Sequence, residues 1–444
     1  MPIDDQHPPK NSAAVPSSRL GRLARLGSLA TGVAGGMLAE GARQLAQGNR
    51  PKMSDLLLTP ANAKRVADEL SRLRGAAMKV GQLISMDAGE LLPPQLTEIL
   101  GQLRSDAKPM PLGQLAQVLE TNWGKDWNER FSQFSFQPIA AASIGQVHSA
   151  HTKDGRHLAL KIQYPAIRDS INSDVENVAT LLRVSGLIPK DIDFRPLLEE
   201  AKAQLHQEAD YLREADYMRR YQALLGDTRH FKLATVYDDL TTDTILAMSF
   251  VEGVPIESLV HAPQAERDQV FTLLMQLFFR ELFEFRLVQT DPNYANYRYD
   301  RQSQQLILLD FGATREYSKT MTESYQRLIQ AAIEQNEAHI IKAAQAIGYF
   351  QDKIEPEQLK AVSTIFQQAV EPLRHQGVYD FAQSNLATRV RETGMDMTFQ
   401  KGYWHTPPAD AIFLHRKLGG LYLLASKLKV RINMKDLFAP YYLT

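Results

Sequence analysis

Cysteine is absent from all 444 residues. That excludes disulfides, thiolate nucleophiles, iron–sulfur clusters and Cys-type zinc sites together, and it fits a reducing compartment. Net charge is sparse too: 50 Lys+Arg against 51 Asp+Glu leave −1, so no basic face on the scale of a nucleic-acid binder is implied. Also missing is any run of about 18 uncharged apolar residues, the length expected of a membrane-spanning helix. The nearest run, Leu26 to Ala39, lies between Arg25 and Glu40 and holds four glycines in fourteen residues. Its late start and glycine content make it a poor secretory signal, although Arg19, Arg22 and Arg25 precede it. What is present, 44% hydrophobic and 23% charged residues, is ordinary globular composition. The length suits one large two-lobed domain with an extension.

Residues 1–18 are polar, contain Pro and Ser, and read as a disordered tail. From 19 to 50 the pattern is helical. Leu20, Leu23 and Leu26 form an apolar face beside Arg19, Arg22 and Arg25, and Gly32 and Gly36 stand four apart. Small residues at that interval allow close helix approach, so this segment is expected to contact a membrane surface, a second copy or its own domain. Residues 51–130 form a mainly helical extension, with Leu70, Leu73, Ala77, Val80 and Ile84 on one stripe over 60–106, a break at Pro93-Pro94, and a further helix over Leu112 to Leu119. Residues 131–252 begin with strand-like segments from Phe134 to Gln163, turning at Asp154-Gly155. Two long helices over 169–185 and 194–225 follow, then strands at Val236 and Thr244 to Met248. Residues 253–444 are mostly helical, beginning with Gln264 to Phe285. No internal repeat is visible. The expected class is α+β, a small antiparallel sheet followed by a helical domain.

Four elements carry the chemistry. Ala140-Ala141-Ala142-Ser143-Ile144-Gly145-Gln146-Val147, between strand-like segments, keeps the last glycine and the valine of the kinase loop G-x-G-x-x-G-x-V, with alanines at its first two glycines. Small residues let backbone N–H groups approach phosphate oxygens, and alanine preserves that access only in part. Alone, the pattern is no more than an alanine-rich strand turn. Fourteen residues beyond Val147, Leu158-Ala159-Leu160-Lys161 matches the V-A-I-K strand, whose lysine reaches the α- and β-phosphates. With apolar neighbours, that ammonium needs an anionic partner. Glu208 is preferred, with Glu214 and Glu200 as competitors that helix spacing does not separate. Asp291-Pro292-Asn293-Tyr294-Ala295-Asn296 reproduces the Asp-to-Asn interval of H-R-D-x-x-x-x-N, in which aspartate orients the attacking hydroxyl and asparagine holds Mg²⁺. Fourteen residues on, the apolar run Leu306 to Leu309 ends in Asp310-Phe311-Gly312, a carboxylate placed to bridge Mg²⁺ and phosphates. Each fragment alone is weak. Their shared order and spacing are specific. Met248 and Val251, on the last strand and its exit, complete the candidate nucleotide contacts.

Two kinase features are missing. Ala313 to Tyr317 runs straight into a helical pattern from Met321 to Ile333, leaving no room for an activation loop or an A-P-E shelf. Gln289 and Thr290 replace the His and Arg before the catalytic aspartate, which removes the arginine that would receive an activation-loop phosphate.

With those residues in hand, nearly everything after Val15 resembles the UbiB family of atypical kinases, in its coenzyme Q branch. The resemblance rests on Lys79-Val80-Gly81-Gln82 (K-x-G-Q), Ala140 to His148, Lys161 to Pro165, Glu208 to Tyr211, Gln289 to Asn296, Asp310 to Tyr317 and His415-Arg416-Lys417-Leu418-Gly419-Gly420. It implies a protein-kinase-like bilobal fold with a helical K-x-G-Q extension. It also implies Lys79 and Gln82 over the active site, Lys161–Glu208 as the ion pair, Asp291 as the catalytic-loop acid, and Asn296 and Asp310 as Mg²⁺ ligands. By itself Lys79 would read as a solvated helix lysine. The alanines of the phosphate loop are a trait of the family, associated with altered nucleotide preference and little ordinary kinase activity. Leu418 to Leu424, the only late apolar run, is too short to span a membrane, which resembles the family's mitochondrial members. Asp4, Asp5 and a single Lys10 nevertheless make a poor transit peptide.

The resulting expectation is an ATP- (or ADP-) and Mg²⁺-dependent ATPase or atypical kinase supporting ubiquinone synthesis. It would act on or present quinone-precursor lipids at an anionic membrane, beside other enzymes of that synthesis, and a homodimer is plausible. The expected location is cytoplasmic on a bacterial inner membrane, or the matrix side of a mitochondrion. The alternative is a non-catalytic nucleotide-dependent scaffold, which would need Mg²⁺ ligands but not Asp291. A serine/threonine protein kinase is disfavoured by the missing activation segment.

Overall fold

The computed structural model describes residues 31–32, 35–37, 39–44, 46–47, 109–142, 144–184, 195–350, 355–395 and 407–443. Lys79, Gln82 and most of the 19–50 and 51–130 segments lie outside them. The described parts of 19–50 are helical at 31–32, 35–37 and 39–44, where the Arg43 guanidinium donates to Glu40 three residues back. No helix among the described residues is long and apolar enough to cross a membrane.

Two compact units emerge: the residues up to Asp216 with Thr235–Phe250, and Tyr217–Ala234 with the residues from Val251 onward. The first unit is built on α1 (Leu112–Trp123), which buries Leu115, Val118 and Leu119. A five-stranded antiparallel sheet follows, of β1 (Phe131–Phe134), β2 (Ala140–Ala142), β3 (Gly145–Thr152), β4 (His157–Gln163) and, later in the chain, β6 (Ile245–Ser249). Its order is β1-β3-β4-β6, with β2 paired to β3. On β4, Leu158, Leu160 and Ile162 are fully buried. That face of the pleat is the core face, since side chains alternate along a strand. Trp123, Trp127, Phe131 and Phe134 form a tilted and edge-on ring cluster at one end of the sheet, an arrangement favoured by the aromatic quadrupole. Val236, expected within a strand, makes only an isolated bridge to Met248.

Three helices connect β4 to the rest: α2 (Ile167–Val184), α3 (Arg195–Glu208) and α4 (Tyr211–Leu225). The single helix expected over 194–225 is therefore two. The break falls at Ala209-Asp210, where the Asp210 carboxylate accepts from Arg213 N at 3.0 Å and so caps α4.

The second unit carries a four-stranded sheet ordered β5 (Phe231–Leu233), β10 (Gln305–Leu308), β9 (Tyr297–Asp300), β7 (Val254–Pro255), parallel only between β5 and β10. Its central helix α5 (Gln264–Phe279) buries eight of its last ten residues, from Val270 to Phe279; a helix apolar on nearly all sides belongs inside a core. A π-turn over Arg280–Phe285 continues it and delivers the chain to β8 (Leu287–Gln289), which pairs with β11 (Thr314–Glu316). The helices α6 (Lys319–Ile333), α7 (Glu337–Ile347), α8 (Pro356–Ala369), α9 (Glu371–Arg374), α10 (Leu386–Met395), α11 (Ala409–Leu428) and α12 (Met434–Phe438) complete the unit, with a short β12–β13 pair at Tyr379–Asp380 and Arg431–Ile432. α6 begins at Ser318, whose hydroxyl accepts from Met321 N.

Candidate nucleotide and metal site

In the first unit the alanine-rich loop is a tight hairpin. Ala140, Ala141 and Ala142 pair with Val147, Gln146 and Gly145 in order. The segment expected to lie between strands thus supplies two of them, with only 143–144 as the turn. Ser143 lies outside the described residues, and Ile144 is fully buried. Gly145 has a steric reason to be glycine. A Cβ there would stand 2.2 Å from the Ile162 carbonyl oxygen on β4, so the hairpin could not close against the lysine strand. Ala140 and Ala141 are exposed, whereas Met248 on β6 is buried.

Lys161 is on β4 and its residue is 7% exposed. Its ammonium donates to both oxygens of Glu214, each at 2.9 Å, and stands 5.3 Å from the centre of the Tyr211 ring. The expected partner, Glu208, is not the one in this pair. The reason is the helix break. Gln163, two residues beyond Lys161 and so on the same face of the strand, donates from Nε2 to the Ala209 carbonyl at 2.7 Å. That bond holds the α3–α4 junction against β4 and brings the first turn of α4, with Glu214, to Lys161. Glu208 ends α3, where Gln204 Nε2 is 3.4 Å from its carboxylate.

Two side chains of the hairpin went unnoticed in sequence. Met110 N donates to Gln146 Oε1 at 2.9 Å, and Gln146 Nε2 meets His148 Nε2 at 2.7 Å. His148 Nδ1 faces the Ser135 carbonyl at 2.8 Å. A carbonyl only accepts, so Nδ1 carries the proton and Nε2 accepts from Gln146. Burial pulls the His148 imidazole down to about 4, against the opposing Ser135 carbonyl bond. The neutral ring therefore completes a chain from Met110 into β1–β2. Only its position in the alanine-loop motif could have flagged it.

In the second unit the Asp291 loop and the Asp310 segment are joined at both ends. Thr290 donates to the Ala313 carbonyl from its backbone N at 3.2 Å and its hydroxyl at 2.7 Å. Leu309 N donates to the Asn296 carbonyl at 3.0 Å. Asp291, Asn296 and Asp310 thus project from two short segments held side by side. The Asp291 carboxylate accepts from Asn293 N at 3.1 Å, and that of Asp310 from Gly312 N at 2.9 Å; each turn fixes its own side chain. Asn296 is 8% exposed, and its Nδ2 is buried without a partner among the described residues. The group that could serve Mg²⁺ is the other end of this carboxamide, its oxygen, since Nδ2 is a donor and does not bind a cation. Among the described residues no three His, Cys, Asp or Glu side chains could hold a metal by themselves. One carboxylate and one carboxamide suit Mg²⁺, which is completed by water and phosphate oxygens, and not a zinc cage. Val251, half-buried, opens the chain's return into this unit.

After Gly312 the chain enters β11 at once and reaches α6 at Lys319. No activation loop intervenes.

Comparison with known proteins follows the same lines. Residues 102–344 match the ABC1 atypical kinase-like domain. The chain is 37% identical over 434 residues to the rat protein "Atypical kinase COQ8B, mitochondrial", covering 96% of this chain and 81% of that one. It is 34% identical over 431 residues to "Atypical kinase COQ8, mitochondrial" of Saccharomyces cerevisiae, covering 96% and 85%. Among solved structures, Mycobacterium tuberculosis Rv3197 in complex with erythromycin superposes with a TM-score of 0.58 at 25% identity, over 83% of this chain and 92% of that one.

Proposed function

We propose, from the premise that this chain belongs to the ABC1 atypical kinase-like family with the COQ8-type atypical kinases among its relatives, that it is a Mg²⁺-dependent ATPase or small-molecule kinase supporting ubiquinone synthesis. The observation that carries the reading is the pairing of the Asp291 and Asp310 segments through Thr290–Ala313 and Asn296–Leu309. It supports an acid and two metal-binding side chains set by the fold itself, with no segment left over as a peptide shelf. In this reading Lys161, oriented by Glu214, holds nucleotide phosphates. Asn296 and Asp310 hold Mg²⁺, which when bound neutralises charge on the phosphates. Asp291 orients or deprotonates the attacking water or hydroxyl. The acceptor is a quinone-precursor lipid, or water while such a lipid is extracted and presented to soluble enzymes, and an anionic membrane surface is the proposed workplace. Lys79 and Gln82 are proposed to restrict access of protein substrates.

The test is ATP turnover by the purified chain, with and without anionic liposomes and a soluble quinone-precursor mimic. Asp310→Asn and Asp291→Asn should each abolish turnover, and neither gene should restore ubiquinone in a deletion strain that the unaltered gene rescues. Turnover and rescue surviving Asp291→Asn would sink the catalytic reading. A non-catalytic scaffold, which needs the metal ligands but not the acid, instead gives rescue that survives Asp291→Asn and is lost with Asp310→Asn, with no ATP turnover even by the unaltered chain.

A further inference from the structure

The His415-Arg416-Lys417-Leu418-Gly419-Gly420 run has no part in the chemistry above, yet it lies on α11, which reaches both active segments of the second unit. Asp410, Phe413, Lys417 and Gly420 follow at intervals of three, four and three and so share one helix face. Together they meet three pieces of the site's framework, the strand after Asp-Phe-Gly, the π-turn and the Asp291 loop. Asp410 takes an ion pair from Arg315 on β11 at 3.2 Å, and its carbonyl accepts from the Tyr317 hydroxyl at 3.0 Å. The Arg315 guanidinium lies 3.8 Å over the Phe413 ring. Lys417 pairs with Glu281 on the π-turn that leads into β8. Gly420 faces the Asp291 loop itself: its carbonyl accepts from the Tyr294 hydroxyl at 2.9 Å, and a Cβ on it would stand 2.8 Å from Pro292 Cβ.

Glycine inside a helix costs about 1 kcal/mol relative to alanine, so adjacent glycines in mid-helix call for a local reason. Gly420 has one, because the atom it admits belongs to a proline ring fixed to the backbone next to Asp291. Gly419 has none of this kind, since a Cβ there meets nothing within 4 Å among the described residues.

We propose that α11 is a positioning element for the Asp291 loop, with Gly420 the seat of Pro292 and the Tyr294–Gly420 bond its tether. The helix holds the loop and the strand after Asp-Phe-Gly together, as an ordered activation segment does in a regulated kinase. Gly420 and Tyr294 are positioning residues and touch no reacting atom. The proposal rests on Asp291 being the acid of the function proposed above.

The experiment compares Gly420→Ala and Tyr294→Phe with Gly419→Ala as the matched helix control, in the full chain. Two readouts are taken: amide hydrogen exchange of the peptide spanning Asp291 to Asn296, and steady-state ATP turnover together with affinity for a fluorescent ATP analogue. Displacing a catalytic loop by about 1 Å can cost on the order of a hundredfold in rate. Gly420→Ala should therefore lower kcat per folded molecule, the active fraction being titrated with the analogue, at least tenfold, with KM and analogue affinity within about threefold of the unaltered chain. Its loop amides should exchange faster. Tyr294→Phe, which adds no bulk, should change both readouts in the same direction and less. Gly419→Ala should leave both unchanged while raising the melting temperature. Faster loop exchange with turnover that is indifferent to Asp291→Asn would uphold the positioning and overturn the catalytic role of Asp291. Loop exchange and kcat both unchanged in folded Gly420→Ala would overturn the positioning itself.

Discussion

Lys417 and Glu281 form the most deeply buried ion pair among the described residues of the second unit, 3% and 1% exposed at their side chains. Besides Lys417, Glu281 has the Tyr221 hydroxyl 3.0 Å from Oε1, and that hydroxyl is also 2.9 Å from the Leu287 carbonyl. Burial pushes the Glu281 carboxyl up and the Lys417 ammonium down, and in each case the partner opposes the push. Lys417→Met keeps the stem and removes the charge, leaving a buried carboxylate with the Tyr221 hydroxyl and the Gln289 backbone N–H but no opposite charge. Breaking one side of such a pair costs about 3–5 kcal/mol, whereas replacing both sides with well-packed apolar groups is often neutral or stabilising. For a folding unit of this size each kcal/mol moves Tm by about 2–4 °C, so Lys417→Met should melt about 10 °C lower at pH 7. Lys417→Met with Glu281→Leu should recover most of that loss. A pH signature accompanies the single variant. With Lys417 gone, the folded carboxyl sits above its unfolded value, so the folded state binds the proton more tightly. Its stability is best below the unfolded value and is lost as pH rises through the folded one. The deficit relative to the unaltered chain should accordingly widen from pH 5 to pH 8 in thermal melts. A single-variant cost under about 1 kcal/mol, or a double variant as weak as the sum of the two singles, would refute the buried-pair reasoning.

Two further outcomes can be read from the same kind of measurement. Glu214→Ala removes the two bonds to the Lys161 ammonium and should lower the stability of the chain along with its ATP turnover, while Glu208→Gln leaves the Lys161–Glu214 bonds in place and should cost less stability; equal losses would return the pairing to Glu208. His148 is held near 4 by burial, below an unfolded value of about 6.5. Its contribution is fully present above that unfolded value and is lost as pH falls toward 4, by about 3 kcal/mol. The melting temperature should drop across that window, and His148→Gln should flatten the drop by about one proton's worth of slope; an unchanged slope would show that His148 is not neutral in the fold.

The α+β kinase-like class, the lysine strand and the Asp291 and Asp310 segments were legible because their signals are local. A strand lysine between apolar neighbours, an Asp-to-Asn interval and an apolar run ending in Asp-Phe-Gly are each set by a few consecutive residues. The direct passage from Ala313 to the helix near Met321 was legible for the same reason, and β11 followed by α6 accounts for it. The partner of Lys161 was not legible. Choosing among Glu200, Glu208 and Glu214 needs the location of the break between α3 and α4, and a hydrogen bond from Gln163, some 46 residues earlier, holds it. Val236 shows the same limit, since a strand was expected there and an isolated bridge to Met248 is what forms. The seat of Pro292 on Gly420 was hidden more deeply still: the tether spans 126 residues, and a glycine pair in a helix does not declare which glycine is sterically required.

Thr290 shows how the missing kinase features belong together. Regulated kinases carry an arginine immediately before the catalytic aspartate, where it receives the phosphate of an activation loop. Here that position is a threonine, 1% exposed, whose hydroxyl and backbone N both donate to Ala313, three residues after Asp310. An arginine awaiting a phosphate serves a segment that moves between two states. A buried hydroxyl bonded to a main-chain carbonyl serves a segment that stays in one. The antiparallel register of β11 on β8, Thr314 to Gln289 through Glu316 to Leu287, continues the same attachment for three residues, and Arg315 and Tyr317 then bind the segment to Asp410 of α11. The loss of the activation loop and the loss of its arginine are therefore one change. The strand after Asp-Phe-Gly has become part of the second unit's framework, so whatever controls access to Asp291 must act from outside that strand.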